Sequence, residues 1–354
     1  MQTIDKDCLD TEEDLSNLVS VFIPCYNETL IIERLLDALY HQDYPRASME
    51  IIIVDGMSTD DTREKIQHFA HNHPDLNIRI IDNRRKRVTY AINEGLKAAK
   101  GGFLVRMDAH SIPASNYVSL CIENLQAGKG DNVGGLLDIQ PMNDSYAARC
   151  IATAAAHPLG SGGAQYRSGS EAATVDTVAF GAFTRNTLQR NGLFNEALMA
   201  NEDYEWNTRL RSKGGRIWFD PAIRCQYFPR GSYRALAKQY FNYGFWKVAM
   251  LRLYPDSLRL RQMAPPVITA GLILAILIGI LGGVLGWSYA PLLGCGCALA
   301  YYIALSIGCQ VCGPKMPLAL TPGVAFALMV MHLSWGSGFW ISLLKNRKKP
   351  PSQQ

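Results

Sequence analysis

Short apolar runs alternate with amphipathic stretches along the first part of the chain. The runs have the length and composition of buried strands, and they fall at residues 18–24, 50–55, 78–82 and 103–107. The stretches between them place apolar side chains on one helical face, at residues 28–41, 60–72 and 89–100. This alternation predicts an α/β domain in which helices cover both faces of a largely parallel sheet.

The pattern is less regular beyond about residue 130. Residues 159–174 are rich in glycine and serine, which predicts a mobile loop of the kind that often forms a lid or a binding loop. A helix at 203–213 and strands at 215–219 and 223–228 complete the domain. We therefore expect a catalytic domain over residues 18–232, preceded by an acidic tail at 1–17.

The last quarter of the chain is strongly apolar, and residues 264–344 contain three segments long enough to cross a bilayer. They fall at about 266–287, 289–311 and 320–344, and a basic tail follows at 345–354. With the catalytic domain in the cytosol, three crossings would place the tail cations outside, against the positive-inside tendency. Either one segment is re-entrant or the tail violates the rule, so the sequence leaves two or three spans open.

Residues 233–263, just before the first apolar segment, carry six basic side chains and one acid, Asp256, interleaved with aromatic residues. A basic, aromatic helix beside a membrane span is typical of an element that lies on anionic headgroups. The alternative is a solvated charged face that packs on the catalytic domain. The sequence alone favours the interfacial position.

Charge and cysteine content narrow the class of protein further. The formal net charge of +4 is too small to indicate nucleic-acid binding. Nine cysteines are scattered without the spacing of a disulfide framework, and the acids of residues 1–17 do not resemble an apolar leader. Reduced thiols in a cytosolic catalytic domain are therefore expected.

Polar residues follow the predicted parallel strands where these strands end, the edge at which such sheets bind ligands. Pro24, Asp55 and Asp108 all occupy these positions. Asp55 could accept hydrogen bonds from a base or a ribose, although an acid before glycine is also common in turns. Asp108 and His110 present two possible ligands for a hard divalent cation, although a surface turn would give the same triplet.

The acids at residues 202–203 open the predicted helix after Asn201. Carboxylates at a helix N-terminus are stabilised by its dipole, which is the structural explanation. The functional explanation is a general base that takes the proton from an acceptor hydroxyl as this hydroxyl attacks a sugar.

Taken together, these residues resemble family 2 glycosyltransferases of GT-A fold. The resemblance rests on motifs in the family's order, at residues 24–28, 54–62, 93–101, 106–110 and 201–203. Within the family the sequence is most similar to exopolysaccharide glucosyltransferases of the succinoglycan type, which share Asp-x-His, a segment like residues 175–183, and an apolar tail. The similarity covers about residues 18–250 and the tail.

The resemblance implies a role for each matching residue. Pro24, Tyr26 and Glu28 would line the nucleoside pocket, Asp55 would contact the uracil, and Asp108 and His110 would hold Mg²⁺ or Mn²⁺ against the donor diphosphate. Asp203 would be the catalytic base, and Glu202 would orient the base or the acceptor.

Two further assignments follow from the resemblance. Arg85 and Arg87 fall, loosely, where the family places a donor-binding residue. Thr177, Phe180 and Phe183 would lie on the acceptor side, where either ring could pack against a sugar.

Processive members of the family carry a Gln-x-x-Arg-Trp motif, and here Asn242 stands where the arginine would be. This difference favours transfer of a single sugar by an inverting enzyme, from a nucleotide-sugar such as a UDP-sugar to a lipid-linked oligosaccharide. The expected location is the inner or plasma membrane, with a multi-pass anchor, a cytoplasmic catalytic domain, other polysaccharide-assembly proteins as partners and no nucleic acid. A polyprenyl-phosphate sugar transferase and a non-catalytic, membrane-bound nucleotide-sugar-binding component stay open as alternatives.

Overall fold

The computed structural model describes residues 16–290 and 292–345, except for the side chain of Arg261. Most of the predicted acidic and basic tails therefore lies outside the described residues. The described chain forms two compact units. One contains residues up to 138 together with 169–227, and the other contains residues 139–168 together with the chain from 228 onward. Residues 139–168, which the sequence placed within the catalytic domain, thus group with the apolar C-terminal helices.

The elements follow one another in a regular order along the first half of the chain. They are β1 (Val19–Cys25), α1 (Ile32–Tyr40), β2 (Met49–Asp55), α2 (Thr62–Asn72), β3 (Asn77–Asp82), α3 (Val88–Ala98), β4 (Phe103–Arg106), β5 (Ser111–Pro113), α4 (Tyr117–Gln126) and β6 (Asn132–Ile139). The rest are α5 (Tyr146–Ala156), α6 (Pro158–Ser161), α7 (Gln165–Ser168), β7 (Ala173–Thr174), β8 (Ala182–Thr184), α8 (Arg185–Asn191), α9 (Glu202–Ser212), β9 (Ile217–Tyr227), α10 (Tyr233–Leu253), α11 (Ala264–Val284), α12 (Leu292–Val311) and α13 (Thr321–Leu344).

Four parallel strands form the half of the sheet that the alternating pattern predicted. They pair in the order β3, β2, β1, β4, and each strand begins and ends within two residues of its predicted limits. Strands β1 and β2 are buried along almost their whole length, which explains why both are continuous apolar runs and do not alternate. The first helix begins at Ile32, later than predicted, and a turn precedes it in which the Glu28 carbonyl accepts from the amides of Ile31 and Ile32.

The other half of the sheet is antiparallel, and the prediction of a largely parallel sheet is wrong for it. Strand β8 pairs antiparallel with β4 and β6, and β9 pairs antiparallel with β5 and β7. The two strands predicted at 215–219 and 223–228 are the single strand β9. Several of these strands have only two or three residues, so they carry no local periodicity and form because long-range partners are available.

A buried carboxylate ties the strands together at the edge where the parallel strands begin. Glu50 accepts hydrogen bonds from Ser20 Oγ, from the Lys100 amide and from Arg79 Nη2, each at 2.6 Å. Ser20 Oγ in turn accepts from the Gly101 amide at 2.8 Å. Burial raises the pKa of Glu50, but these three hydrogen bonds outweigh burial and hold the pKa below its ordinary value.

The second unit is helical, and it contains three apolar helices that by length and composition could cross a membrane. These are α11, α12 and α13, and α11 is the most apolar of them. In the described residues an apolar helix thus forms at each of the three predicted segments, with limits that differ by a few residues, and their insertion in a membrane stays a prediction. The predicted loop at 159–174 is not a plain loop, since helices α6 and α7 and strand β7 form within it.

The basic, aromatic region begins with helix α10, which packs directly against α13. A Cβ atom at Gly244 would overlap the carbonyl oxygen of Trp335, and one at Gly338 would overlap that of Phe241. Only glycine permits backbones to approach so closely. The sequence predicted a headgroup contact for this region but not this helix pair.

We predict that Glu50→Gln destabilises the protein by about 1–3 kcal/mol, because the amide cannot accept three hydrogen bonds as the carboxylate does. Because the pKa of Glu50 is depressed in the folded state, its contribution is present above the unfolded pKa and is lost as pH falls through the folded pKa. The advantage of wild type over the variant in thermal unfolding, measured in detergent, should therefore shrink in acid. Glu33→Gln, at an exposed ion pair with Lys65, is the control, and an equal effect of both changes would contradict the prediction.

Candidate active site

Three carboxylates share one buried guanidinium at the end of β4. The Arg106 side chain is 3% exposed, and its Nη2 lies 3.2 Å from Asp108 Oδ1 and 3.1 Å from Glu202 Oε1. Its Nη1 donates to Asp203 Oδ1. The structure therefore brings together three of the residues predicted from the sequence, around a fourth to which no role was assigned.

The acids of the first turn of α9 reach this point because the backbone before the helix is held in place. Asn201 adopts a left-handed conformation, with φ of 64°, which asparagine tolerates better than most residues. Further upstream, Asn93 Nδ2 donates to the Phe194 carbonyl at 2.9 Å, and the Phe194 amide donates to Asn93 Oδ1 at 2.9 Å. Helix α3 thus anchors the segment that leads to Glu202 and Asp203.

The electrostatic balance at this cluster is unusual, because one cation faces three acids. Burial lowers the pKa of Arg106, but the three carboxylates outweigh burial and keep the guanidinium charged. For Asp203, burial raises the pKa, Arg106 lowers it, and Glu202 and Asp108 raise it again, with the result that the pKa is about 8. The Phe180 amide also donates to Asp203 and favours its ionised form. Burial is therefore the main cause that raises the pKa of Asp203 above that of an ordinary aspartate.

His110 lies beside a different carboxylate. Its Nδ1 is 3.3 Å from Glu28 Oε1, and its ring centroid is 5.0 Å from that of Tyr227. Glu28 thus orients the ring and leaves Nε2 as the nitrogen available to a metal. Glu28 itself is buried and contacts His110. Its predicted place in a nucleoside pocket stays a prediction.

The chemistry of these side chains fits a cation held partly by substrate. Within residues 16–290 and 292–345 no group of three or more His, Cys, Asp or Glu side chains could hold a metal ion. Asp108 and His110 would supply two ligands, and both side chains are partly exposed, at 21% and 15%. Mg²⁺ and similar ions commonly take one or two protein ligands and complete their shell with phosphate oxygens and water. The residues present therefore suit an ion that arrives with a diphosphate.

The end of β2 is organised around Asp55, whose side chain is fully buried. Its carboxylate accepts from the Ser58 hydroxyl at 2.6 Å, and its Oδ2 lies 3.2 Å from Arg63 Nη1. Arg63 also donates to Asp82 at 2.7 Å and so links the ends of β2 and β3. In the described state Asp55 shapes the loop, and a direct contact with a base would require this turn to open.

The loop after β1 is tied to the loop after β2 and exposes an aromatic ring. The Asn27 amide donates to Ser58 Oγ at 2.9 Å, and the Thr59 amide donates to Asn27 Oδ1 at 2.8 Å. Tyr26, which follows the strand that contains Pro24, is 48% exposed. Of the residues predicted for the nucleoside pocket, Tyr26 is the one that offers a ring to a ligand.

The two arginines after β3 differ in their surroundings. The Arg85 side chain is 66% exposed, and its guanidinium lies 4.2 Å from the Tyr90 ring centroid and 4.0 Å from Glu196 Oε2. Arg87 precedes α3, and its carbonyl accepts from Asn83 Nδ2 at 2.9 Å. Both side chains are exposed, so either could meet an anionic ligand.

The predicted acceptor-side residues are more deeply buried than expected. Phe183 is fully buried, with its ring 6.3 Å from Phe22 and 4.6 Å from Trp206. The prediction that its ring could face a sugar is wrong, because the ring belongs to the core. Thr177 is also buried, and its hydroxyl accepts from Asn207 Nδ2 at 2.8 Å. Phe180 contacts the acidic cluster through its backbone amide, which donates to Asp203, and not through its ring.

The mixed sheet and the acidic cluster at the edge where its parallel strands end define a GT-A glycosyltransferase domain. The family model described as Glycosyl transferase family 2 matches residues 20–190. A solved structure with a similar fold, a mannosyltransferase from Pyrobaculum calidifontis in complex with GDP-Man and Mn²⁺, has a TM-score of 0.58. It is 21% identical and covers 94% of this chain and 88% of that one.

Two relatives extend the comparison. The chain is 31% identical over 242 residues to a dolichyl N-acetyl-alpha-D-glucosaminyl phosphate 3-beta-D-2,3-diacetamido-2,3-dideoxy-beta-D-glucuronosyltransferase of Methanococcus voltae, across 67% of this chain and 74% of that protein. It is 29% identical over 345 residues to the succinoglycan biosynthesis protein ExoA of Rhizobium meliloti, across 96% of this chain and 99% of that protein. The chain belongs to family 2 of the glycosyltransferases, so the predicted family, fold class and enzyme class are confirmed.

Sequence reasoning assigned no role to Arg106, although the residue stands in the motif at 106–110. The signal that could have revealed it is the basic residue at the end of an otherwise apolar strand. A buried charge at such a position requires partners, and in this fold two of the three partners, Glu202 and Asp203, lie almost a hundred residues away.

We predict that Arg106→Gln lowers the thermal stability of the protein, because three carboxylates then face one another without a counter-charge. Arg106 lowers the pKa of Asp203, so removal of the cation raises the folded-state pKa of this group further, and the loss relative to wild type should grow as pH rises and Asp203 ionises. Unfolding scans of both proteins across this pH range measure the difference. Arg46→Gln, at the exposed pair with Asp75, should change little, and a loss at Arg106 that does not depend on pH would contradict the explanation.

Proposed function

We propose that this chain is an inverting glycosyltransferase that moves a single sugar from a UDP-sugar to a lipid-linked oligosaccharide. The observation that carries the proposal is the placement of Asp203, Glu202 and Asp108 around Arg106 at one edge of the sheet. One carboxylate is suited to proton abstraction and another lies where a donor diphosphate would bind. A single displacement needs this combination and no second acid.

Asp203 is the proposed base, and its neighbours make it effective. Its raised pKa gives its carboxylate a higher proton affinity than an ordinary aspartate, so it can take the proton of the attacking hydroxyl. Arg106 and the Phe180 amide hold this carboxylate in one orientation. Glu202 accepts a hydrogen bond from the same guanidinium and would orient the acceptor. A divalent cation at Asp108 and His110 would neutralise the departing diphosphate and shift Asp203 towards its ionised form.

The acceptor and the donor are inferred from several features together. The Methanococcus relative carries dolichyl and phosphate in its name, the Rhizobium relative acts in succinoglycan biosynthesis, and this chain has three apolar helices. These features favour a lipid-linked glycan acceptor, possible partners in polysaccharide assembly, and a multi-pass position in the plasma membrane with the catalytic domain at 18–232 in the cytoplasm. Asn242, in place of the arginine of processive enzymes, favours single transfer.

A polyprenyl-phosphate sugar transferase is the alternative within the enzyme class. Membranes that contain the protein can be supplied with undecaprenyl phosphate or with an undecaprenyl diphosphate-sugar, and UDP release measured for a series of UDP-sugars. Turnover with the diphosphate-sugar alone supports the proposal. Turnover with the bare phosphate would favour the alternative.

We predict that Asp203→Asn abolishes sugar transfer and leaves UDP affinity nearly unchanged, because the amide cannot accept the proton but occupies the same volume. Transfer is measured as UDP release and affinity by calorimetry, with thermal unfolding to show that the variant is folded. Glu123→Gln, an exposed acid on α4, is the matched control. Full activity of the Asp203 variant would reject its role as the base.

We predict that Asp108→Asn weakens the dependence of UDP affinity on Mn²⁺, because the site loses a charged oxygen ligand. The measurement is UDP binding across a Mn²⁺ titration, repeated with Mg²⁺ to compare the two ions. Asp37→Asn, whose side chain is 65% exposed, is the control. The same Mn²⁺ response in the Asp108 variant as in wild type would remove Asp108 from the metal site.

A further inference from the structure

Helices α11 and α12 form an antiparallel hairpin. Its two ends serve below to describe the position of α13 in the helical unit. A Cβ at Gly282 would overlap Ala290, and one at Gly294 would lie 2.8 Å from Ile276, so the helices pack tightly near the turn that joins them. Helices of 21 and 20 residues are each about 30 Å long, which matches the apolar thickness of a bilayer. We call the turn the far end of the hairpin. The near end contains the start of α11 and the end of α12.

Helix α13 begins at the near end of the hairpin. Gln310 Nε2 donates to Thr321 Oγ1 at 2.6 Å, and the hydroxyl of Tyr302, a residue in the middle of α12, donates to the Pro322 carbonyl at 3.1 Å. Gln310 lies in the last turn of α12. A third crossing would run from this point to the far end.

The second half of α13 also lies at the near end. Trp340 Nε1 donates to the Pro266 carbonyl at 2.8 Å, and a Cβ at Gly336 would overlap Thr269. Pro266 and Thr269 belong to the first turns of α11. Thr321 and Trp340 are separated by about 28 Å of helix, and between them His332 Nδ1 lies 2.5 Å from Tyr301 Oη in the middle of α12, so α13 runs across the near half of the hairpin and does not extend to its far end.

Helix α10 follows α13 along its length and carries charges that a membrane interior would not accept. Tyr233 Oη donates to the Gly323 carbonyl at 3.3 Å, and Arg252 Nη2 donates to the Ser342 carbonyl at 3.4 Å. Arg234, Lys238 and Asn242 form an exposed stripe at helical spacing on α10. If α13 crossed the bilayer, this stripe would cross with it, at a high desolvation cost.

A third segment contacts α13 and comes directly from the chain of the catalytic sheet. Residues 139–168 connect β6 to β7, and within them Tyr146 Oη donates to the Ala319 carbonyl at 2.8 Å. Farther along, the Leu159 carbonyl lies 2.9 Å from His332 Nε2. Residues 139–168 therefore reach α13 at both points within the helical unit.

We propose that α13 lies with α10 along the membrane surface on the near side, so that the chain crosses the bilayer twice, through α11 and α12 alone. The partner of the α10–α13 pair is the lipid headgroup layer, which suits both the exposed cations and the aromatic residues Trp335 and Trp340. With two crossings, the chain before α11 and the chain after α12 face the same side of the membrane, which for the cations of the sequence at 345–349 agrees with the positive-inside tendency. This inference rests on the membrane location proposed above.

The test uses the full chain with one epitope tag at the N-terminus and a different one at the C-terminus. Right-side-out and inverted sealed vesicles are treated with protease, and loss of each tag is followed by immunoblot. Two crossings predict that both tags are removed in the same vesicle preparation and protected in the other. Removal of the two tags in opposite preparations would show an odd number of crossings and overturn the proposal.

A second form of the protein carries a tag after Ser288, in the far turn. Two crossings predict that this tag is removed in the preparation that protects the termini, whereas protection together with the termini would overturn the proposal. Transfer activity of the tagged proteins shows that they are folded, and if this insertion is not tolerated the two terminal tags still decide. Extraction of the protein from membranes by alkaline carbonate would overturn the membrane location itself, a failure distinct from three crossings in a protein that stays bound.

Discussion

The ion cluster around Arg106 is the interaction on which the rest of the catalytic edge depends. One guanidinium, almost without exposure, meets carboxylates from the loop after β4 and from the first turn of α9. A charge so deeply buried is tolerated only because these partners surround it, and the partners are in turn oriented by it. The contact with Arg106 therefore orients Asp203, whereas burial is the main cause that raises the pKa of this carboxyl group, against the effect of the guanidinium.

The catalytic unit has buried charged groups at both ends of its parallel strands, and the charge balance differs between the two ends. Where the parallel strands begin, Glu50 is satisfied by three donors, and its depressed pKa keeps it ionised as a structural group. Where they end, acids outnumber the cation at Arg106, and the pKa of Asp203 is raised. The first arrangement favours stability, and the second leaves an unbalanced negative charge that a divalent cation would complement.

Close backbone contact organises the helical unit in a comparable way. Gly244, Gly336 and Gly338 let α13 approach both α10 and the start of α11 so closely that a methyl group would not fit. A helix held at its two ends by the same level of a hairpin cannot also run along that hairpin. The apolar composition of α13 would allow it to enter a bilayer, but its contacts place it across the near half of the α11–α12 hairpin.

The sequence by itself determined the family, the four parallel strands with their helices, the three apolar helices and the identity of the acids at the sheet edge. Each of these has a local signal, either a run of apolar residues or a motif in a fixed order. The antiparallel half of the sheet, the core position of Phe183, the partners of Arg106 and the path of α13 were decided only by the tertiary structure. They depend on contacts between residues far apart in the chain, for which periodicity and spacing contain no information.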